Sequence, residues 1–344
     1  MSSSRLLNAC RREKTDKIPV WLMRQVGRYL PEYRELRRRM SFMEICKSPE
    51  ISAELTILPV EKFGVDGAII FSDILTPIEA CGFDVRIEEG GGGVAVENLK
   101  TEKDIEKLRS YTPDSTSFVY ESIRIVKKML NGKVPVIGFA GAPFTLACYL
   151  VEGGTTRNML SVKQLMYSNA GLWNRLMDSL TDVVLHHSRE QVRAGADVIQ
   201  LFDSWVGVLS PLDYRKYVMP YMKRLVREIK TAGCYVIHFA TCSAGILKLM
   251  QEAGGDVIGI DWRIDIGHAW EVIGDKTGIQ GNLDPAKLLA DKRLIEEEAR
   301  SILDKTGSRP GYIFNLGHGV LPNTPCENVK FLVEYVHSYE VDVA

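Results

Sequence analysis

The run DVIQLF (Asp197–Phe202), followed at once by DSW (Asp203–Trp205), decides the fold. Its residues are almost continuously apolar, as in a strand buried on both faces of a parallel sheet; a sheet with one wet face would alternate instead. YVIHF (Tyr235–Phe239) repeats the pattern. Upstream, Leu172–Val192 places Leu172, Leu176, Leu180, Val183 and Val184 at helical intervals. A buried strand preceded and followed by amphipathic stretches of this length is a parallel βα unit, because parallel strands need a crossover between them.

Working outward, the same kind of run recurs at Val20–Met23, Gly67–Phe71, Val134–Phe139, Asp256–Ile260, Gly278–Gln280 and Gly311–Leu316. Glu50–Phe63, with Leu55, Leu58 and Val60, is another of the intervening helices. Eight runs in one chain favour an α/β fold closed as a single (β/α)8 TIM-type barrel. Gly278–Gln280 is the weakest of them, and the helix before it has room for two turns. No linker-like stretch divides residues 1–344, so the expectation is one domain, with residues 1–17 partly an N-terminal arm. After the second strand, Gly82–Leu99 alternates apolar residues on either side of Gly90–Gly93. This predicts a β-hairpin excursion; the glycines lack the spacing of a phosphate loop.

The composition is that of a globular protein: 344 residues, 45% apolar and 25% charged, with 43 Lys+Arg against 44 Asp+Glu. A net charge of −1 argues against nucleic acid or a membrane surface as partner. The balance is uneven, however, since residues 1–40 carry eleven Lys and Arg against four acids. Arg37-Arg38-Arg39 is the best sign of an anionic polymer as partner, but a solvated helix face is the stronger reading. Seven cysteines without a C-x-x-C form no disulfide framework and suit a reducing compartment. The longest apolar stretch, Val134 to Val151, is broken by Pro135 and Pro143 and is no membrane span, and the N-terminal residues lack the apolar core of a secretory signal. The expected location is the cytoplasm.

In a barrel of this kind the loops after the strands converge on one mouth, where function resides. Reading past each run collects Arg24 to Arg28, Ser72-Asp73, Thr145 and Tyr149, Asp203-Ser204-Trp205, Thr241-Cys242-Ser243, Asp261, Asn282, and Gly317-His318-Gly319. Arg24 and Arg28 are the most informative, because the five-donor fork of a guanidinium matches a carboxylate or phosphate. A salt bridge to Asp73 is the structural alternative for both partners. His318, flanked by Gly317 and Gly319, has backbone freedom on both sides, which suits a close approach to ligand. His186 and His187 lie within a predicted helix and are read as solvated or packed.

Several segments carry a resemblance. PVWLMRQVGRYLPEYRELR (Pro19–Arg37) and GFAGAPFTLACYLVEGG (Gly138–Gly154) resemble the two signatures of the uroporphyrinogen decarboxylase family. FSDILTP (Phe71–Pro77), LFDSWVG (Leu201–Gly207), GNLDP (Gly281–Pro285) and NLGHGVLPNTP (Asn315–Pro325) match further family segments in the same order, so the likeness covers roughly residues 5–340. Val26 replaces the usual Ala, and Ser204 stands where some members have Thr; neither change removes a polar contact.

The resemblance implies decarboxylation of the four acetate side chains of uroporphyrinogen III to methyls, giving coproporphyrinogen III in haem and tetrapyrrole synthesis. It further implies a homodimer working without cofactor or metal, and a substrate site of Arg24, Gln25, Val26, Gly27, Arg28, Asp73, Tyr149, Ser204 and His318. Asp73 is expected to stabilise positive charge in the transition state, with Arg24 and Arg28 as the other catalytic candidates. The proton donor stays open, since an arginine with a pKa above about 12 is a poor acid. One rival keeps the fold but changes the chemistry. A zinc-dependent methyl transfer would call on His238, Cys242 and Cys326 as ligands, although Ala240 stands where a tight H-x-C pair needs cysteine.

Overall fold

Seven of the eight runs form the strands of one parallel sheet in a computed structural model that describes residues 4–87, 93–99, 101–156, 158–306 and 309–340. β1 (Ala68–Ile69) is followed by a separate hairpin, β2 (Val85–Ile87) with β3 (Val94–Val96). The sheet continues with β4 (Val136–Gly141), β5 (Val198–Asp203), β6 (Tyr235–Ala240), β7 (Val257–Gly259), β8 (Gly278–Leu283) and β9 (Tyr312–Leu316), in the order β1-β4-β5-β6-β7-β8-β9. β8, the weakest expectation, is a full strand of six residues, all buried, and the helix before it, Ile266–Ile273, is indeed two turns long.

The run Val20–Met23 is not a full strand. It makes a single bridge, Val20 to Phe314, yet it joins the two edges of the sheet. The Phe314 N–H donates to the Pro19 carbonyl (2.9 Å), and the Asp66 N–H, just ahead of β1, donates to the Val20 carbonyl (2.7 Å). Side chains confirm the curl. Gln280 of β8 donates to Gln200 of β5 (3.0 Å), and the Trp21 indole donates to Gln280 (2.9 Å). Strands three places apart in a flat sheet are separated by roughly 14 Å. Only a sheet rolled on itself lets these amides meet.

The predicted helices appear as Pro49–Phe63 and Ala170–Ala194, packed outside the sheet. The long helix buries Leu176, Leu180, Val183 and Val184, and its His187 is enclosed with Tyr111, Thr116 and Tyr120, 3.0 Å from the Tyr120 hydroxyl. Burial without a charged partner pulls the His187 pKa down to about 3, as suits a packed neutral imidazole. The hairpin stands where the alternation placed it, although Gly90–Gly92 of its tip lie outside the described residues. It docks on the helix Pro143–Glu152 through the Val96 N–H to the Gly153 carbonyl (3.0 Å) and the Leu99 N–H to the Leu150 carbonyl (2.8 Å).

One device recurs at the N-terminal ends of the strands. An acid in that position accepts the backbone N–H of a neighbouring strand and binds a base. Asp66 takes the Val20 N–H (2.8 Å), Arg5 and His337; Asp197 takes the Val136 N–H (2.8 Å) and Lys127; Asp256 takes the Val236 N–H (2.8 Å) and Lys230. Charge at this end of the barrel is therefore spent on the fold.

Candidate active site

At the opposite end several charges are left without a protein partner among the described residues. The chain leaves Met23 in a tight turn that sets Arg24 in the left-handed region (φ +55°), a conformation costing roughly 1–2 kcal/mol outside glycine. Gln25 holds that turn. It is fully buried, its amide oxygen accepts the Leu22 N–H (3.1 Å), its amide nitrogen donates to the Gly67 carbonyl (3.1 Å), and its own carbonyl accepts the Tyr29 hydroxyl (2.6 Å). The Gln25 side chain is therefore engaged in holding the turn that sets Arg24. Val26 and Gly27 are half-buried beside it, and Arg24 and Arg28 are exposed. Neither arginine has an acid within ion-pair distance among the described residues, so the salt bridge to Asp73 does not form.

Asp73 follows β1 and is half-buried. Its Oδ1 accepts the Leu75 N–H (2.8 Å) at the head of the helix Thr76–Ala80, while Oδ2 has no protein hydrogen bond among the described residues. Burial pushes its pKa up, and the Leu75 hydrogen bond and the charge of Arg24 oppose that shift. A carboxylate in this state gains much from hydrogen-bond donors that a ligand brings.

Tyr149 projects from the helix Pro143–Glu152, its ring edge-on to Trp205 with centroids 6.1 Å apart. Burial raises its pKa, the Asp73 charge adds to that, and Arg24 acts the other way, so the three share one electrostatic neighbourhood. The Trp205 backbone N–H donates to the Thr145 hydroxyl (3.3 Å), and Thr145 in turn donates to buried Asp203 (3.0 Å). Ser204, half-buried between them, accepts the Thr241 hydroxyl on its carbonyl (2.6 Å).

His318 follows β9. Neither of its flanking glycines has a positive φ, so backbone freedom is not why they are there; close approach is. A Cβ on Gly317 would sit 2.4 Å from the Trp262 backbone nitrogen, and one on Gly319 would sit 2.3 Å from the Arg24 Cδ. The backbone on either side of His318 is closely packed, and burial of the imidazole, aided by Arg24 and Arg263 and opposed by Asp261, lowers its pKa to about 4. It is neutral near pH 7, able to donate and accept one hydrogen bond each. Its ring ends an aromatic row of Phe139, Phe202, Phe239 and His318, with successive centroids 5.6, 5.8 and 6.3 Å apart. Reading polar strand ends missed this apolar wall, although Phe139, Phe202 and Phe239 were visible as the last aromatic of each run.

Arg24, Asp73, Tyr149 and His318 thus come together, with Ser204 beside them through Trp205; Arg28 stands on the same loop as Arg24. The arrangement can grip a polyanion with unpaired guanidiniums, offer one carboxylate oxygen to N–H donors, and lay a flat ring system on aromatic edges. The ligands of the zinc alternative are apart. His238 is fully buried beside Asp203, and the Cys326 thiol donates to the Tyr29 carbonyl (3.4 Å). Among the described residues no three His, Cys, Asp or Glu are grouped to hold a metal.

Comparison with known proteins agrees with this geometry. The sequence matches the family described as Uroporphyrinogen decarboxylase (URO-D) over residues 1–339. It is 48% identical to a uroporphyrinogen decarboxylase of Carboxydothermus hydrogenoformans over 332 residues, covering 96% of this chain and 95% of the relative. It is 51% identical to that of Thermus thermophilus over 332 residues, 96% of each protein. Among solved structures, a methyltransferase from Methanosarcina mazei superposes with a TM-score of 0.78 over 96% of this chain and 97% of its own; at 23% identity it shares the fold alone. The motifs at the strand ends, the match along the length of the chain and the identity to these relatives place the protein in one family: the chain belongs to the uroporphyrinogen decarboxylases.

Proposed function

We propose that this protein decarboxylates the four acetate side chains of uroporphyrinogen III to methyls in tetrapyrrole biosynthesis, using the substrate's own pyrroles in place of a cofactor. One contrast supports the reading: acids at the strand N-termini are all paired, whereas Arg24, Arg28 and the Asp73 Oδ2 at the mouth have no protein partner among the described residues. Arg24 and Arg28 grip acetate and propionate carboxylates, and neutral His318, Tyr149 and Ser204 orient others. Protonation of a pyrrole α-carbon makes the ring cationic. The bond from the side-chain methylene to its carboxylate then breaks, its electron pair flows into the ring, and CO2 departs. The exocyclic carbon takes up a proton as the α-carbon releases one, so each turnover consumes one proton and leaves a methyl group. Asp73, accepting pyrrole N–H groups, stabilises the cationic ring from a position fixed before reaction.

The homodimer belongs to the same proposal. Leu160 and Leu212 are 68% and 79% exposed on helices that are linked by the Tyr167 hydroxyl to Asp213 (3.0 Å), and a second copy would cover them. The balanced charge supports a small polyanion over a nucleic acid as partner. No helix of the described residues is long and apolar enough to cross a membrane. The function is tested by anaerobic incubation with uroporphyrinogen III and chromatography of the oxidised products. Porphyrins with seven, six, five and four carboxylates are expected; unchanged octacarboxylate contradicts the reading.

A further inference from the structure

The loop after β7 brings a third arginine to the mouth, one that stood outside the expected site. Asp261 is 1% exposed and gathers three donors: the Cys242 N–H (2.9 Å), the Arg263 N–H (3.3 Å) and the Arg263 guanidinium (2.6 Å). The guanidinium also lies over the Trp262 ring, 4.1 Å from its centroid. The side chain is thereby fixed in plane and direction while 48% of it remains exposed. One guanidinium nitrogen is engaged by Asp261, and the other two have no protein partner among the described residues. The position follows from Gly317, whose missing Cβ leaves room for the Trp262 backbone and ring. Trp262 therefore packs on the His318 loop at Gly317, as the Arg24 stem does at Gly319. The charge of Arg263 reaches the imidazole along with those of Arg24 and Asp261.

We infer that Arg263 is a third carboxylate-binding arginine of the site, with Asp261 and Trp262 orienting it toward a side-chain carboxylate of the tetrapyrrole on the other side of His318 from Arg24. The inference rests on the proposed function, because a substrate with eight carboxylates offers more anions than Arg24 and Arg28 can hold. A guanidinium stacked and tied at one nitrogen keeps its fork open for a bidentate carboxylate, with little rotamer freedom left to lose. Asp261 is here a positioning residue.

The test compares Arg263→Gln and Arg263→Lys with wild type, using uroporphyrinogen III under anaerobic conditions at several ionic strengths. Arg263→Gln is expected to raise KM about tenfold, roughly the factor carried by one charge-assisted hydrogen bond, with most of the loss in kcat/KM appearing in KM. Its KM should also climb less steeply with salt than that of wild type. Arg263→Lys, which keeps the charge and loses the planar fork, should recover part of the loss. A wild-type protein that leaves uroporphyrinogen unchanged refutes the proposed function itself. An active wild type with KM and salt dependence unchanged in Arg263→Gln, or with the loss confined to kcat, overturns the assignment of Arg263 alone.

Discussion

Gly319→Ala is a one-carbon change expected to act on Arg24. The added Cβ would lie 2.3, 2.6 and 2.9 Å from the Cδ, Cγ and Cβ of Arg24. Carbon atoms rest at roughly 3.5–4.0 Å, so the stem must move by more than about 1 Å. These are the near carbons of the side chain, and the turn at Arg24 is fixed by Gln25, so the displacement cannot be taken up at the tip. Overpacking of this kind costs about 1–3 kcal/mol in a core. Because Arg24 is exposed and can swing outward, the stability loss should fall near 1 kcal/mol. Losing the hold on a substrate carboxylate that is proposed for Arg24 would forfeit about 1.5–3 kcal/mol, or roughly 10–100-fold in kcat/KM. Two neighbouring glycines calibrate the result. A Cβ on Gly27 meets nothing closer than 3.5 Å, so Gly27→Ala should melt with wild type. On Gly317 it meets the Trp262 backbone at 2.4 Å, which cannot yield, so Gly317→Ala should lose more stability than Gly319→Ala. Thermal melts and steady-state rates of the three variants decide the matter. Gly319→Ala with kcat/KM within twofold of wild type, or Gly27→Ala as unstable as Gly317→Ala, would refute the reasoning.

Two further changes probe the frame of the site. His318, with a folded pKa near 4 against about 6.5 unfolded, should show no imidazole titration between pH 5 and 8 by NMR. The sign follows from linkage: the stability that goes with its neutral form is complete above about 6.5 and drains as pH falls toward 4, so a His318→Gln variant should lose less stability than wild type over that window. Thr145→Val removes the donor to buried Asp203 and the acceptor for the Trp205 N–H. It should cost about 1–3 kcal/mol in a denaturant melt and lower kcat, whereas Thr145→Ser should keep both.

Legibility of the fold tracked burial. β5 and β6 were plain because both faces of each are covered, which leaves an unbroken apolar run. Val20–Met23 has the apolar run of a strand, yet it makes one bridge, because the chain turns at Arg24 under the control of Gln25. β8 was harder to see because Gly278, Gln280, Gly281 and Asn282 are buried without being apolar; Gln280 is satisfied by Gln200 and Trp21, partners distant in sequence. The unpaired state of Arg24, Arg28 and the Asp73 Oδ2 needed coordinates, since any sequence with as many acids as bases permits a salt bridge. The glycines around His318 were noticed for the wrong reason, because a close approach by another loop leaves no mark in the local sequence. Arg263 was missed on the same ground: its meaning comes from Trp262 lying on Gly317.

In the proposed reaction the Asp73 carboxylate stabilises the cationic pyrrole, and Asp73→Asn removes that charge while keeping the shape of the side chain. The amide oxygen can still accept the Leu75 N–H, so the local fold is kept, and burial already disfavours the charge that is removed. The measurement is the rate of CO2 release from uroporphyrinogen III by wild type and by Asp73→Asn of equal melting temperature. A fall of about 10²–10³-fold in kcat is expected, the magnitude associated with losing one preorganised electrostatic contact in the transition state. A folded Asp73→Asn protein releasing CO2 within twofold of the wild-type rate contradicts that role for Asp73.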